Sequence, residues 1–234
     1  MKDKYVLITG GTGGLGISVT KLSLAEGAKQ VILPYRTAKS SDDLKAHLSP
    51  DEIDRLELVA ADLNDETTVE SLINRPPRLD VLIHLVGGFQ AGKTDEFGFE
   101  DWQRQFQLNL HNTFLLCKHS LRRMRETGYG RIVTVGSRGV EQPAANLAAY
   151  SASKAGVIAL IRSIAQETRE KDLDITANAV LPSVIDTPKN RKDMGEENAW
   201  QWVAPESLAR VIGFLASDAA RDIRGAAIPV YGKA

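Results

Sequence analysis

The fold of this chain is decided by Tyr5-Val6-Leu7-Ile8-Thr9-Gly10-Gly11-Thr12-Gly13-Gly14-Leu15-Gly16. The first five residues are almost all apolar, which is typical of a strand covered on both faces of a parallel sheet. The glycines follow at once, and a helical pattern runs from Ile17 to about Glu26. Glycines allow a tight turn and a close approach to a pyrophosphate, while a helix N-terminus offers free N–H groups. Strand, loop and helix in this order therefore predict a dinucleotide-binding loop.

Further apolar runs of strand type alternate with helical patterns along the rest of the chain. The predicted strands span residues 31–33, 56–61, 80–88, 131–136, 174–181 and 225–230, and the clearest helical patterns span 65–73, 99–125, 149–170 and 205–217. Regular alternation predicts an α/β fold with a doubly wound parallel sheet of seven strands and helices on both faces. A length of 234 residues fits a single Rossmann-type domain, residues 1–234.

The composition excludes several classes of function. The net charge is −1, so no basic surface for nucleic acid or for a membrane is expected. Cys117 is the single cysteine, and the four histidines lack the spacing of a metal site. No apolar run reaches the ~18 residues of a membrane span, and the N-terminus shows no signal peptide. These features predict a soluble, cytoplasmic protein.

A second stretch, residues 149–156, opens a long amphipathic helical pattern and carries the chemistry. Tyr150 and Lys154 are four residues apart, so their side chains share one helix face. A phenol has an ordinary pKa near ~10, and a neighbouring ammonium lowers it by favouring the phenolate. Tyr150 could then donate or accept a proton near neutral pH. Alternatively, the pair lies on a solvated helix face and has no chemical role.

Polar residues at the ends of predicted elements are further candidates. Arg36 follows the second strand, where an acidic residue that binds the ribose diol is expected, and it is a candidate partner for a 2′-phosphate. The alternative is a solvated surface arginine. His84 lies within the predicted fourth strand, near its glycine end, and either touches a cofactor or is a partly buried, hydrogen-bonded histidine. Asn109 lies among apolar residues, and a buried amide needs partners, so it belongs to a polar network or lies at the surface. Cys117 fits the core.

Residues 186–202 are the least regular part of the sequence. They are strongly charged, follow the sixth strand, and carry Trp200 and Trp202. A long irregular segment after a sheet edge is a candidate lid over the substrate. The alternative is that both tryptophans pack permanently on the core.

Taken together, several motifs resemble those of the short-chain dehydrogenase/reductase family over nearly the whole chain. They are Thr9-Gly10-x-x-x-Gly14-x-Gly16, Asp62-Leu63, Asn109, Ser137, Tyr150-x-x-x-Lys154 and Pro182-x-x-x-x-Thr187. The resemblance implies an NAD(P)-dependent enzyme. Hydride would pass between the nicotinamide and a small carbonyl or alcohol substrate.

The resemblance also implies roles for individual residues. Tyr150 would be the general acid/base. Lys154 would lower the pKa of Tyr150 and hold the nicotinamide ribose. Ser137 would hydrogen-bond the substrate oxygen, and Asn109 would hold a water in a proton relay. The implied cofactor-binding residues are Gly10, Thr12, Gly13, Gly14, Leu15, Gly16, Arg36, Asp62, Leu63, Leu85, Val86, Gly87, Tyr150, Lys154, Pro182, Val184, Ile185 and Thr187.

The chain departs from the family pattern at two positions. His84-Leu85-Val86-Gly87 replaces Asn-Asn-Ala-Gly, so the packing on the adenine side must differ. Ser183 replaces the glycine that usually follows the proline. Arg36, where an acid is common, favours NADP(H) over NAD(H).

Three functions stay open from the sequence. The first is a carbonyl reductase or alcohol dehydrogenase, acting on ketones in general or on 3-oxoacyl substrates. The second is pterin reduction, because residues 181–194 are similar to the same segment of dihydropteridine reductases, although Ser137 and Arg36 depart from that branch. The third is a non-catalytic, dinucleotide-binding redox sensor, against which the intact Ser137, Tyr150 and Lys154 argue. The family resemblance further implies a homodimer or homotetramer packed through residues 99–125 and 149–170.

Overall fold

A sheet of seven parallel strands forms the centre of the protein. The computed structural model describes residues 1–233, except for the side chain of Lys39. In chain order the strands are β1 (Tyr5–Thr9), β2 (Gln30–Tyr35), β3 (Leu56–Ala60), β4 (Val81–His84), β5 (Tyr129–Val135), β6 (Asp174–Pro182) and β7 (Ala227–Val230). Their spatial order is β3-β2-β1-β4-β5-β6-β7, which confirms the predicted doubly wound sheet.

Helices cover both faces of this sheet, and each face has its own core. The helices are α1 (Gly14–Ala25), α2 (Ala38–Lys45), α3 (Pro50–Ile53), α4 (Glu66–Ile73), α5 (Phe99–Phe106), α6 (Asn112–Thr127), α7 (Ala148–Glu167), α8 (Pro188–Met194) and α9 (Pro205–Leu215). Alternate residues of a strand face opposite sides of the sheet. Leu82 of β4 therefore joins the core under α4, α6 and α7, while Ile83 joins the core under α1 and α9.

The strand order places a crevice at the carboxyl edge of the sheet. β1 pairs with β2 on one side and with β4 on the other, so successive connections leave β1 in opposite directions. Ligands of open α/β sheets bind at such a switch point. No helix within residues 1–233 is both long enough and apolar enough to cross a membrane.

Two predicted segments differ from the structure. The helix predicted over 99–125 is interrupted by a π-helical turn, Gln107–His111, between α5 and α6. The apolar spacing continues through this turn, so the sequence pattern does not reveal it. The segment 186–202, predicted to be irregular, contains α8 and a short 3₁₀ turn, Ala199–Gln201. Thr187 caps α8, since its hydroxyl oxygen accepts from the Asn190 N–H at 3.2 Å.

Candidate active site

The glycine loop after β1 has the shape that a dinucleotide requires. Gly10 has a φ of +73°, a conformation that favours glycine, and the Gly13 N–H donates to its carbonyl oxygen at 3.0 Å. A Cβ on Gly16 would lie 2.0 Å from the Gly10 oxygen, so this position needs a glycine. Gly13 precedes α1 and provides no side-chain cap, which leaves the first N–H groups of α1 available to an anion. These features fit a pyrophosphate.

The structure brings the other predicted cofactor segments to the same loop. A Cβ on Gly10 would lie 3.2 Å from the backbone of Leu85 and Val86, and a Cβ on Gly14 would lie 2.7 Å from Thr187 Cγ2. Leu15 is buried in the core, so its backbone N–H, and not its side chain, can face a ligand. Pro182 ends β6 and leads into Val184, Ile185 and Thr187 at the same sheet edge.

The residues predicted on the adenine side lie on the far half of this edge. Arg36 directly follows β2 and is exposed. The Asp62 carboxylate accepts from the Asn64 N–H at 3.0 Å and from its amide nitrogen at 2.7 Å. Leu63 is buried and contributes its side chain to the core. The Arg36 side chain therefore extends into solvent, whereas hydrogen bonds hold Asp62 and core packing holds Leu63.

Lys154 lies under the site and not in solvent. Its side chain is 5% exposed, and Nζ donates to the Val135 carbonyl oxygen at 2.8 Å. Burial lowers the pKa of Lys154 to about 8. A Cβ on Gly87 would lie 3.0 Å from Nζ, so the glycine permits this close packing. The alternative of a solvated helix face is thereby excluded for Lys154.

The pKa of Tyr150 differs from the sequence prediction. Burial raises the pKa of its phenol, and a polar contact with Ser137 opposes that rise. Lys154 was predicted to lower the pKa of Tyr150, but in this structure its ammonium is turned toward the end of β5. Ser137 lies two residues after the end of β5, and its oxygen accepts from the Gly139 N–H at 3.1 Å. Its own proton stays available for another acceptor.

Asn109 belongs to a buried polar network, as one of the two sequence alternatives proposed. It is fully buried in the π-helical turn. Its amide oxygen accepts from the Gly88 N–H at 2.9 Å, and its amide nitrogen donates to the Gly88 oxygen at 3.0 Å. The amide nitrogen also reaches Ser153 Oγ at 2.9 Å and Gln105 Oε1 at 3.2 Å. Asn109 thus ties the loop after β4 to α5 and α7.

Two site residues were missed by the sequence reasoning. Phe89 packs edge-on against the Tyr150 ring with centroids 5.0 Å apart and an interplanar angle of 75°, and 66% of Phe89 is exposed. Ser153 is buried between Asn109 and the Tyr150 backbone, and it donates to the Tyr150 carbonyl oxygen at 2.8 Å. Phe89 directly follows Gly87-Gly88, the glycine pair at the end of the predicted fourth strand, and this position is the sequence signal that indicates a site residue. The partners of Ser153 come from distant segments and left no pattern.

His84 is a buried histidine and not an exposed cofactor contact. It is 2% exposed, and its Nδ1 lies 2.6 Å from Thr9 Oγ1. Burial, and then the charge of Lys154, lowers the pKa of His84 to about 3, so the ring is neutral at physiological pH. Cys117 is in the core, where burial raises its pKa to about 12. Residues 1–233 contain no cluster of three histidine, cysteine or acidic side chains that could bind a metal ion.

Residues 4–198 of this chain match the sequence model of the short chain dehydrogenase family. The chain belongs to the short-chain dehydrogenase family. It is therefore an NAD(P)-dependent oxidoreductase with the Rossmann-type fold described above. A 3-beta-hydroxysteroid dehydrogenase of Comamonas testosteroni is 32% identical over 93% of this chain and 90% of its own length.

Two further relatives of the family extend the comparison. The 3-oxoacyl-[acyl-carrier-protein] reductase MabA of Mycobacterium tuberculosis is 32% identical over 98% of this chain and 92% of its own length. The crystal structure of levodione reductase superposes with a TM-score of 0.89 and 28% identity, over 99% of this chain and 97% of that one. The family and the fold thus extend over the complete sheet.

Proposed function

We propose that this short-chain dehydrogenase interconverts a ketone and a secondary alcohol, with Tyr150 as the general acid/base. The observation that carries the proposal is the convergence of Ser137, Tyr150 and Lys154 at the sheet edge that also holds the glycine loop. A redox sensor needs the glycine loop alone, so a buried lysine and a paired serine and tyrosine favour an enzyme. The nicotinamide, when bound, supplies or accepts the hydride.

Each side chain has a defined task in the direction of reduction. Ser137 donates its free proton to the substrate oxygen and holds the carbonyl beside Tyr150. The Tyr150 hydroxyl gives its proton to that oxygen as a new C–H bond forms at the carbonyl carbon. With a cofactor bound, the Lys154 ammonium, which here donates to the Val135 oxygen, would hold the ribose with another of its protons and would favour the phenolate that remains. Asn109 keeps the loop after β4 in place beside Lys154 and supports the relay that returns a proton to Tyr150.

We further propose NADP(H) as the preferred cofactor. Arg36 is exposed at the end of β2, next to the strand that carries the glycine loop, and a guanidinium suits a phosphate. Gly10, Thr12, Gly13, Gly14, Leu15 and Gly16 would bind the pyrophosphate side, Asp62 and Leu63 the adenine. Leu85, Val86, Gly87, Pro182, Val184, Ile185 and Thr187 would line the nicotinamide half.

The proposed substrate is a ring ketone with a large apolar surface. Phe89 presents an exposed aromatic face directly beside the Tyr150 ring, where a flat apolar substrate can stack. A relative that acts on hydroxysteroids supports this choice. The relative named as a 3-oxoacyl reductase supports the second candidate, a 3-oxoacyl thioester. Residues 186–202 would form the substrate lid, with Trp200 exposed on its outer turn.

We also propose that the protein assembles into a homodimer or homotetramer and is located in the cytoplasm. A groove of about 480 Å³ between the π-helical turn, α6 and α7 is lined by Gln107, Leu110, His111, Phe114, Leu115 and Leu160. Phe114 is 49% exposed there, so a homodimer or homotetramer would bury an apolar stripe. A lone, buried cysteine suits a reducing cytoplasm.

A substrate panel followed by absorbance at 340 nm tests the proposed function. NADPH and the enzyme are mixed with steroid and cyclohexanone-type ketones, an acetoacetyl thioester and a quinonoid pterin. We expect turnover with the ring ketones, and Phe89→Ala should raise their KM about three- to tenfold, the value of one aromatic contact. The KM of a small acyclic ketone should not change. Faster turnover of the thioester or the pterin would overturn the substrate assignment, and no turnover at all would overturn the function.

A further inference from the structure

Three polar side chains form a row across the middle of the sheet. Thr9 of β1, His84 of β4 and Thr134 of β5 occupy directly opposed positions on neighbouring strands. Register partners in a sheet project to the same face, so the three side chains are neighbours. All three are buried on the face that α6 and α7 cover, because Leu82 and Ile132, two residues earlier on β4 and β5, belong to that core.

The row leaves two buried polar atoms without a protein partner. His84 Nδ1 is engaged with Thr9 Oγ1 at 2.6 Å. His84 Nε2 and Thr134 Oγ1 have no hydrogen bond to any residue that the structure describes. Buried polar groups in folded proteins almost always have a partner, and an ordered water can supply it. Two such atoms on adjacent strands point to one shared partner.

Lys154 lies at the end of this row. Its Nζ donates to the oxygen of Val135, the residue after Thr134, and packs against Gly87, three residues after His84. An ammonium has three protons, and the bond to Val135 uses one of them. Burial lowers the pKa of His84, and the positive charge of Lys154 lowers it further. The ammonium and the imidazole therefore face each other across the ends of β4 and β5.

We propose that His84 Nε2 and Thr134 Oγ1 hold a water beneath Lys154, and that His84 is a positioning residue which keeps the Lys154 ammonium charged. The hydrogen bonds balance in one tautomer. His84 Nδ1–H donates to Thr9 Oγ1, which leaves Nε2 as an acceptor. The water accepts from Lys154 and donates to His84 Nε2 and to Thr134 Oγ1. This inference rests on the proposed role of Lys154.

The charge of Lys154 depends on neutral hydrogen-bonding groups, because its surroundings provide no opposite charge. The groups that face it are His84 from β4, the Asn109 amide from the π-helical turn and the Val135 oxygen from β5. No acidic side chain forms an ion pair with Lys154 within residues 1–233. Because its pKa is already lowered to about 8 by burial, the loss of a hydrogen-bond acceptor should change its charge near neutral pH.

The decisive experiment is an NMR titration of Lys154 in the cofactor-free protein. Lysine is labelled with ¹³C at Cε, and the Lys154 signal is assigned with Lys154→Met. We expect the pKa of Lys154 to fall by about one pH unit or more in His84→Met, since a hydrogen bond to the charged form favours it. His84→Gln, which keeps an acceptor, should restore most of the difference. An unchanged pKa in a folded His84→Met protein would overturn the inference, and turnover plays no part in the measurement.

A second measurement needs no variant of His84. ¹⁵N spectra of the imidazole in the wild-type protein report which ring nitrogen carries the proton. We expect a neutral ring between pH 6 and 9, in keeping with a pKa lowered to about 3, with the proton on Nδ1. A proton on Nε2 would remove the acceptor and overturn the inference. Failure of the ketone reductase assay with both NMR results as expected would instead reject the proposed function.

Discussion

The substitution Asn109→Leu tests the network that supports the active site. Leucine has nearly the shape of asparagine, so the change removes hydrogen bonds without opening a cavity. Asn109 has four polar contacts, two with Gly88 and one each with Gln105 and Ser153, but three of them share the two protons of its amide nitrogen, so they amount to about three full hydrogen bonds. At about 1 kcal/mol each, these bonds set an upper limit of about 3 kcal/mol for the lost stability.

The expected loss is smaller than this limit. Ser153 Oγ keeps its bond to the Tyr150 oxygen, and Gln105 keeps its bond to the Gln90 oxygen. Gly88 is half-buried, so water can replace part of what it loses. We therefore expect Asn109→Leu to lower the free energy of unfolding by about 2 kcal/mol.

Urea titration followed by circular dichroism measures the stability, and hydrogen exchange measures the Gly88 amide. The matched control is Gln103→Leu, an exposed amide on α5, which should change stability by less than about 0.5 kcal/mol. The Gly88 amide should lose protection in Asn109→Leu and keep it in the control. A loss below about 1 kcal/mol with Gly88 still protected would refute the reasoning, because each buried bond is assigned about that value.

Three further predictions concern the cofactor, the lid and the assembly. Arg36→Ala should weaken NADPH binding about tenfold or more and leave NADH binding unchanged, because the lost charge-assisted hydrogen bond contacts only the 2′-phosphate. Calorimetry measures both dissociation constants, and tighter binding of NADH than of NADPH by the wild type would contradict this prediction. Hydrogen exchange over residues 186–202 should slow when NADPH binds, and equal exchange in both states would indicate a preformed wall. Phe114→Glu should dissociate the oligomer in light scattering, whereas Phe214→Glu, exposed outside the groove, should not; a monomeric wild-type protein would reject the assembly.

The sheet could be predicted from the sequence because each strand carries its own local signal. β1 is a nearly continuous apolar run that ends at Gly10, β6 ends in the apolar run Ala179-Val180-Leu181 before Pro182, and the alternation with helices favours parallel pairing. The glycine loop could be predicted for the same reason, since the positive φ of Gly10 and the contact of Gly16 with the Gly10 oxygen both arise within one strand–loop–helix unit.

The parts that were missed depend on distant contacts. The π-helical turn around Asn109 is set by bonds to Gly88 and Ser153, which lie far away in sequence. The pKa of Tyr150 follows from its burial, and burial is a property of the assembled site. The start of α8 is different, because Thr187-Pro188 is a local capping signal that the charged composition of the segment concealed.

The central claim is that Tyr150 passes the proton, and turnover by Tyr150→Phe tests it most directly. The variant keeps the ring that packs against Phe89 and loses only the hydroxyl. With NADPH and a ring ketone, we predict that kcat falls by at least ~10²-fold, the lower value of general acid–base catalysis, while the Kd for NADPH stays the same. A variant that keeps more than about a tenth of the wild-type kcat would contradict the assignment of Tyr150.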